Sequence, residues 1–257
     1  MGLQVNASAM HSLMKRVEVL ANNISNNQTV GFKRMDLDFA DQIVKYSRKP
    51  TPYENPVGKF TGQGVKITGT EIEHKQGSFK ITENSLDFAI NGPGFFKLLD
   101  PITGENLYTR NGSFKFDEQG RLVTSSGYLL DPPIQLQPSQ IFSHISEDGR
   151  VWVREPGTAN LTNLGQLTLS TFVNPAGLYA TGNSTYKATS SSGAEIQGQP
   201  KQNGIGSIIS GALETSNVSL VKEMVDLINT QKAYDTNHKV IIAEDKMASL
   251  GDILGRR

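Results

Sequence analysis

There is no cysteine in the 257 residues. That excludes disulfides, thiolate metal sites and a cysteine nucleophile, and it leaves the chain at home in any redox compartment. Aromatic residues make up 7% and hydrophobic residues 37% of the chain, thin for one compact core of this length. The formal net charge is +0, with 25 cationic against 25 anionic residues. No basic face stands out. Lys15-Arg16 and Lys33-Arg34 are isolated pairs and read as solvated surface, so no nucleic-acid partner is expected. No apolar run approaches the ~18 residues of a membrane helix, and no membrane insertion is expected. The N-terminus also lacks the pattern of a cleavable signal peptide. Its charges, Lys15 and Arg16, follow the first apolar positions, and no hydrophobic region comes after them. A cytoplasmic chain, or one exported by a route without such a signal, is predicted.

Catalytic chemistry is equally scarce. His11, His74, His144 and His238 are scattered, with no partner at metal-ligand spacing, so no metal site is expected. Gly204-Ile205-Gly206 supplies half of a dinucleotide loop, but position 209 is Ile and no β-α-β unit surrounds it. Asn91-Gly92-Pro93-Gly94 reads as a tight turn, because no P-loop lysine or helix start follows. Glu71 with Glu73, and Asp87 near Glu83, read as solvated strand faces rather than acid/base pairs. The reading is of a non-enzyme with no catalytic residues and no cofactor.

What the chain does have lies at its ends. Leu3, Met10, Leu13, Val17, Leu20 and Ile24 recur at three-four spacing, with Asn6 the one interruption. The helix they predict ends near Asn26, where Asn22-Asn23-Ile24-Ser25-Asn26-Asn27 competes for helical backbone bonds and Gly31 follows. A second helix is predicted from Ser219 to Leu254, spanning ~50 Å. Asn217 or Ser219 is placed to cap it, and Glu223 suits its positive end. Apolar residues occupy more than one stripe: Leu220, Met224, Leu227, Tyr234 and Ile241, then Val221, Val225 and Ile228, then Val240, Ala243, Met247, Leu250 and Leu254. A face that wide must pack on something. The expected assembly interface is therefore Leu3, Met10, Leu13, Val17, Leu20 and Ile24 on the first helix, with Val221, Met224, Val225, Ile228, Tyr234, Ile241, Met247 and Leu250 on the second.

Between the helices the pattern changes. Asp36 to Tyr46 (Leu37, Phe39, Ile43, Val44) fits a short helix or an extended arm. Residues 46–64 carry Pro50, Pro52, Pro56, Gly58, Gly62 and Gly64 and read as an extended connector. From Val65 on, period-two alternation dominates: Val65/Ile67, Phe79/Ile81, Leu86/Phe88/Ile90, Phe114/Phe116, Val151/Val153, Leu167/Leu169. Asn91-Gly92, Asn111-Gly112, Gln119-Gly120 and Asp148-Gly149 mark turns. Trp152, the only tryptophan, reads as a half-buried anchor. The fold class is α+β: long terminal helices forming a coiled-coil-like layer, and a central antiparallel β-rich domain. The predicted boundaries are 1–45 for the N-terminal helix and arm, 46–64 for the connector, 65–202 for the β domain, and 203–257 for the C-terminal helix packing with 1–45.

Several strings, in order, resemble the bacterial flagellar basal-body rod family of rod and hook axial proteins. They are Ala21-Asn22-Asn23-Ile24-Ser25-Asn26, Gly31-Phe32-Lys33-Arg34, Leu86 to Phe96, Tyr108 to Phe114, Leu213-Glu214-Thr215-Ser216-Asn217-Val218 and Gln231-Lys232-Ala233-Tyr234. The motif residues carried over are Asn22, Asn23, Asn26, Gly31, Phe32, Lys33, Ser216 and Asn217. The length fits a rod rather than a hook protein, and the wording is closest to the distal-rod branch, with the proximal-rod branch second. The opening Met1 to Asn6 departs from the usual distal-rod start.

The resemblance implies a structural subunit that polymerises with itself into a hollow helical drive shaft. It implies export through the flagellar apparatus without a cleavable signal, a position in the periplasm-spanning rod, and contact with other rod proteins, the hook protein and a rod cap. Where an outer membrane is present it also implies P and L ring proteins as partners. The alternative from another class is an extracellular β-rich adhesion module with helical oligomerisation ends.

Overall fold

The computed structural model describes residues 2–42, 45–48, 59–157 and 161–254. Positions 49–58, which hold most of the expected Pro/Gly connector, lie outside the described residues, as do Ile43 and Val44. The chain divides into two units, the first made of residues 1–25, 35–72 and 219–257, the second of 26–34 and 73–218. The class is α+β, with one helix at each end and a β-rich middle.

In the first unit, α1 runs Gly2–Ser25 and α2 runs Leu220–Leu254. The first helix stops within the asparagine-rich run, at Ser25, as the competing side chains require. The stretch from Asp36, for which the sequence allowed a helix or an arm, is a strand, β1 (Met35–Asp41). Its period-two order, with Leu37 buried and Asp36 and Asp38 exposed, decides the matter. Two short strands follow, β2 (Lys45–Arg48) and β3 (Lys59–Thr61), paired antiparallel with each other. β1 pairs antiparallel with β4 (Val65–Ile72), from Met35 opposite Ile72 to Asp41 opposite Val65, with a bulge between Asp38 and Phe39. Val65–Ile72, whose alternation grouped it with the central β segment, thus pairs inside the helix-bearing unit.

The second unit begins its strands with β5 (Phe79–Ile81), β6 (Phe88–Asn91), β7 (Phe95–Leu99), β8 (Asn106–Thr109) and β9 (Phe114–Phe116). β10 (Leu122–Thr124), β11 (Leu129–Asp131), β12 (Ile141–Ile145), β13 (Arg150–Arg154) and β14 (Leu161–Gln166) continue it. It closes with β15 (Leu169–Thr171), β16 (Tyr179–Gly182), β17 (Thr185–Lys187), β18 (Ile196–Gly198), β19 (Ser207–Ser210) and β20 (Ala212–Glu214). The largest sheet has nine strands, in the order β16-β17-β8-β7-β11-β10-β9, with β15 joining β7 to β18. A three-stranded meander β12-β13-β14 and the pairs β19-β6 and β20-β5 complete the unit. All of these pairings are antiparallel, as frequent short turns dictate. β19 and β20 lie beyond residue 202, yet they pair with the first two strands of this unit.

Its core is built from inward positions of these strands, led by Phe88, Phe96, Phe114, Leu122, Leu167 and Ile208, all at 1% exposure or less. Each such side chain contributes about 1.5–3 kcal/mol by leaving water. Phe114 packs edge-on against Phe96 and stacks with Phe88. Trp152 is half-buried between buried Val151 and Val153, and its Nε1 donates to Ser146 Oγ at 2.6 Å.

Candidate functional site

Two places gather the residues singled out by sequence. The first is the helix pair. α1 and α2 lie side by side and antiparallel: Asn6 Nδ2 donates to Glu244 Oε2 at 3.3 Å near one end, and Asn23 Nδ2 to Glu223 Oε2 at 3.1 Å near the other. Asn23 is fully buried and does more than join the helices. Its Oδ1 accepts from Met35 N at 2.9 Å and its Nδ2 donates to Met35 O at 2.8 Å. One amide side chain therefore satisfies both polar groups of the first β1 residue, as a neighbouring strand would. Glu223, also fully buried, sits in the first turn of α2 beside the free N–H groups.

The expected interface residues divide by burial. Leu20 is 4% exposed and belongs to the interior of this single chain. Met10, Leu13, Val17, Ile24, Tyr234 and Ile241 are half-buried. Val221 (74%), Met224 (51%), Val225 (50%), Ile228 (49%), Met247 (64%) and Leu250 (58%) face outward. The side chain of Leu3 lies outside the described residues. A furrow of about 370 Å³ between the helices is lined by Met14, Val17, Glu18, Gln231, Tyr234 and Asp235.

The second place is a buried ion cluster in the β-rich unit, centred on residue 33. Here the sequence reading fails: Lys33 is not solvated surface, and its side chain is 0% exposed. Its Nζ pairs with Glu214 Oε1 and donates to Lys75 O at 2.7 Å. Glu214, likewise 0% exposed, takes Arg110 Nη1 on Oε2 at 3.2 Å and Gly77 N on Oε1 at 2.9 Å. Arg110 Nη2 donates to Gly92 O at 3.0 Å, and its guanidinium lies over the Phe95 ring. Burial pulls Lys33 below its ordinary value, and the Glu214 carboxylate opposes that shift. The backbone closes the same knot. Gly31 N donates to Glu214 O at 2.9 Å, and at φ +68° a Cβ on Gly31 would sit 2.7 Å from Asn111 N. Only glycine fits there.

Of the remaining motif residues, Asn217 ties the 26–34 loop to the rest of the β-rich unit. Asn26 Oδ1 accepts from Thr29 Oγ1, and Phe32, half-buried, closes a turn onto Thr29. Asn217 does not cap α2. Its Oδ1 accepts from Arg34 N at 2.7 Å and its Nδ2 donates to Glu73 O at 2.8 Å. Ser216 Oγ accepts from Val218 N. Asn22 is exposed on the last turns of α1. Glu214 and Arg110 carried no sequence signal of their own, because neither a charged residue in a β-rich stretch nor one in a turn announces burial.

The scattered histidines stay apart. His11, His144 and His238 are exposed. His74 packs edge-on against Phe95 and Tyr186, at 5.5 and 5.2 Å between ring centres. Burial, reinforced by the Lys33 and Arg110 charges, lowers its pKa to about 4. Asp87 accepts from Thr82 and Asn84 within its own turn, a structural use. Among the described residues no cluster of His, Cys, Asp and Glu is arranged for a metal, and no helix is long and apolar enough to cross a membrane.

Three family models match the chain: "Flagella basal body rod protein" over residues 3–33, "Flagellar hook protein FlgE/F/G D1 domain" over 89–153, and "Flagellar basal body rod FlgEFG protein C-terminal" over 209–251. Lys33, Arg110 and Glu214 fall one in each segment. The chain belongs to the flagellar basal-body rod family of axial proteins. Within it, the chain is 42% identical to the flagellar basal-body rod protein FlgG of Borreliella burgdorferi, over 98% of this chain and 97% of that one. It is 38% identical to FlgG of Buchnera aphidicola subsp. Schizaphis graminum, over 95% and 96%. It is 31% identical to FlgG of Bacillus subtilis, over 93% of each. That membership sets aside the adhesion-module alternative.

Proposed function

We propose that this chain is a structural subunit of the flagellar basal-body rod, not an enzyme, and that it polymerises into a hollow helical shaft. The shaft carries motor torque to the hook and encloses the export channel. The observation that carries the reading is the outward apolar face of α2. Val221, Met224, Val225, Ile228, Met247 and Leu250 remain about half exposed or more although α1 already lies along the same helix. Apolar area of that kind is worth about 25 cal/mol per Å² once covered, and identical neighbours cover it at every step of a helical array.

In this reading the helix-bearing unit, residues 1–25, 35–72 and 219–257, supplies the coiled-coil-like packing of the shaft, and the β-rich unit, residues 26–34 and 73–218, the rest of the subunit. The rod shaft transmits load through many shallow contacts rather than one deep one. Its partners are further copies of itself, other rod proteins and the hook protein. A rod cap and the export apparatus act during assembly, and P and L rings surround it where an outer membrane exists. It lies in the basal body, outside the cytoplasm, and reaches it without a cleavable signal. Within the family, the distal-rod role is favoured over the proximal one by the full-length FlgG relatives. Electron microscopy of the purified, concentrated chain tests the reading: open helical tubes are expected, and a closed oligomer of fixed size would refute it.

A further inference from the structure

With no cysteine in the chain, its sulfur chemistry rests on six methionines. All six fall in the helix-bearing unit, and the sequence of the β-rich unit has none. Met1 lies outside the described residues. Met10 and Met35 are half-buried, and Asn23 holds both backbone polar groups of Met35. The other three are open to solvent: Met14 is 52%, Met224 51% and Met247 64% exposed. Each of them sits on a helix surface that this chain leaves uncovered. Met14 lines the furrow between α1 and α2, in company with Val17 and Tyr234. Met224 lies in the outward patch of α2 with Val221, Val225 and Ile228, where spacings of three and four make the side chains neighbours. Met247 stands near the far end of the same helix, three residues before exposed Leu250.

A thioether is apolar, flexible and polarisable, well suited to filling a contact surface. Among the aliphatic side chains of these faces it is also the group that a peroxide converts in place. A sulfur lone pair attacks one peroxide oxygen, the O–O bond breaks and a sulfur–oxygen bond forms. The sulfur is oxidised, and the other oxygen of hydrogen peroxide leaves as water, carrying the proton of the attacked one. The sulfoxide is polar, and its oxygen is a hydrogen-bond acceptor that Val221, Val225, Ile228 and Leu250 cannot satisfy with their side chains. On a free subunit water solvates that oxygen at little cost. Under a neighbouring copy it would be buried without a donor. We infer that Met14, Met224 and Met247 are modification sites, at which oxidation by a peroxide withdraws the free subunit from polymerisation, and that burial in the polymer protects them. This rests on the rod reading. Enzymatic reduction of the sulfoxide reverses the step, so a subunit is set aside rather than destroyed.

The test treats the soluble full chain with hydrogen peroxide to partial conversion, removes the oxidant, concentrates the chain and sediments the polymer. Peptide mass spectrometry then reads the sulfoxide at each methionine in pellet and supernatant. In the soluble chain Met14, Met224 and Met247 should convert several-fold faster than Met10 and Met35. Their sulfoxides should be about tenfold scarcer in the pellet, the factor that one unmet buried acceptor carries. The treated chain should melt as the parent does, which separates a lost contact from a lost fold. The variant Met14→Leu/Met224→Leu/Met247→Leu keeps the apolar volume and should polymerise equally with and without peroxide. Equal sulfoxide in pellet and supernatant at all three positions, conversion no faster than at Met10 and Met35, a lowered melt, or a triple variant that still loses polymer to peroxide would each overturn the proposal. If the untreated chain forms no polymer, the rod reading fails and the proposal with it. If untreated and oxidised chains polymerise alike, the proposal alone fails.

Discussion

Lys33 and Glu214, 181 residues apart in the chain, form an ion pair in which neither side chain is exposed. Such a pair adds little over apolar packing, but half of it is a liability. Lys33→Met should leave Glu214 with Arg110 as its remaining cation and cost about 3 kcal/mol. Denaturant unfolding followed by Trp152 fluorescence measures it. The double variant Lys33→Met/Glu214→Met should not recover stability, because Arg110 would then stand unpaired.

Leu20 and Val225 separate folding from assembly. Leu20 is 4% exposed, so Leu20→Asp buries a charge inside the single chain and should cost several kcal/mol, visible as lost helical circular dichroism. Val225 is 50% exposed. Val225→Asp should leave the melting curve within about 0.5 kcal/mol of the parent and yet prevent sedimentable polymer. Cells carrying it should not swim. Normal tubes from Val225→Asp would remove α2 from the assembly surface.

Asn23→Ala should destabilise the helix-bearing unit by about 2–3 kcal/mol, since it strips both hydrogen bonds from Met35 and one from buried Glu223. Hydrogen exchange at the Met35 amide should speed up more than exchange at β-sheet amides such as Leu98.

His74 makes the β-rich unit sensitive to acid. Its pKa falls from 6.5 to about 4 on folding, through burial first and the Lys33 and Arg110 charges next. Between those values the unfolded chain binds the extra proton, so stability rises with pH through that window and is lost as pH falls through it. The full effect is about 3 kcal/mol at 1.36 kcal/mol per unit. His74→Phe, which keeps the ring against Phe95 and Tyr186, should flatten the slope between pH ~4 and ~6.5 in melts followed by Trp152 fluorescence.

A fragment of residues 26–218 should fold as a β protein with native Trp152 fluorescence. A fragment of residues 65–202 should not, because it lacks β19 and β20, the partners of β6 and β5, and the Glu214 that Arg110 needs. Equal stability of the two would contradict the pairing.

Both helices were legible because a three-four apolar spacing and a terminating asparagine run act locally. Most strands were legible for the same reason. The sequence leaves β1 open between helix and arm, since Leu37, Phe39, Ile43 and Val44 do not together fix one period. The ion cluster was hidden. Lys33 sits next to Arg34 and resembles any surface pair, and the carboxylate that buries it lies near the far end of the chain. Of the two cap candidates, Asn217 and Ser219, the first has its side chain held by Arg34 and Glu73 instead, a use that its place in the sequence does not show. The family resemblance marked Lys33 and Asn217 without saying why.

The helix-bearing unit draws on both ends of the chain, whereas the β-rich unit has all its residues by position 218. During synthesis, then, the sheets can close while α1 still waits for its companion helix. Bringing together segments separated by some 200 residues carries a loop entropy that grows only slowly with length, but it delays the contact. The last step of folding is thus the pairing of the two terminal helices. A chain released early would hold a finished sheet body and a bare first helix.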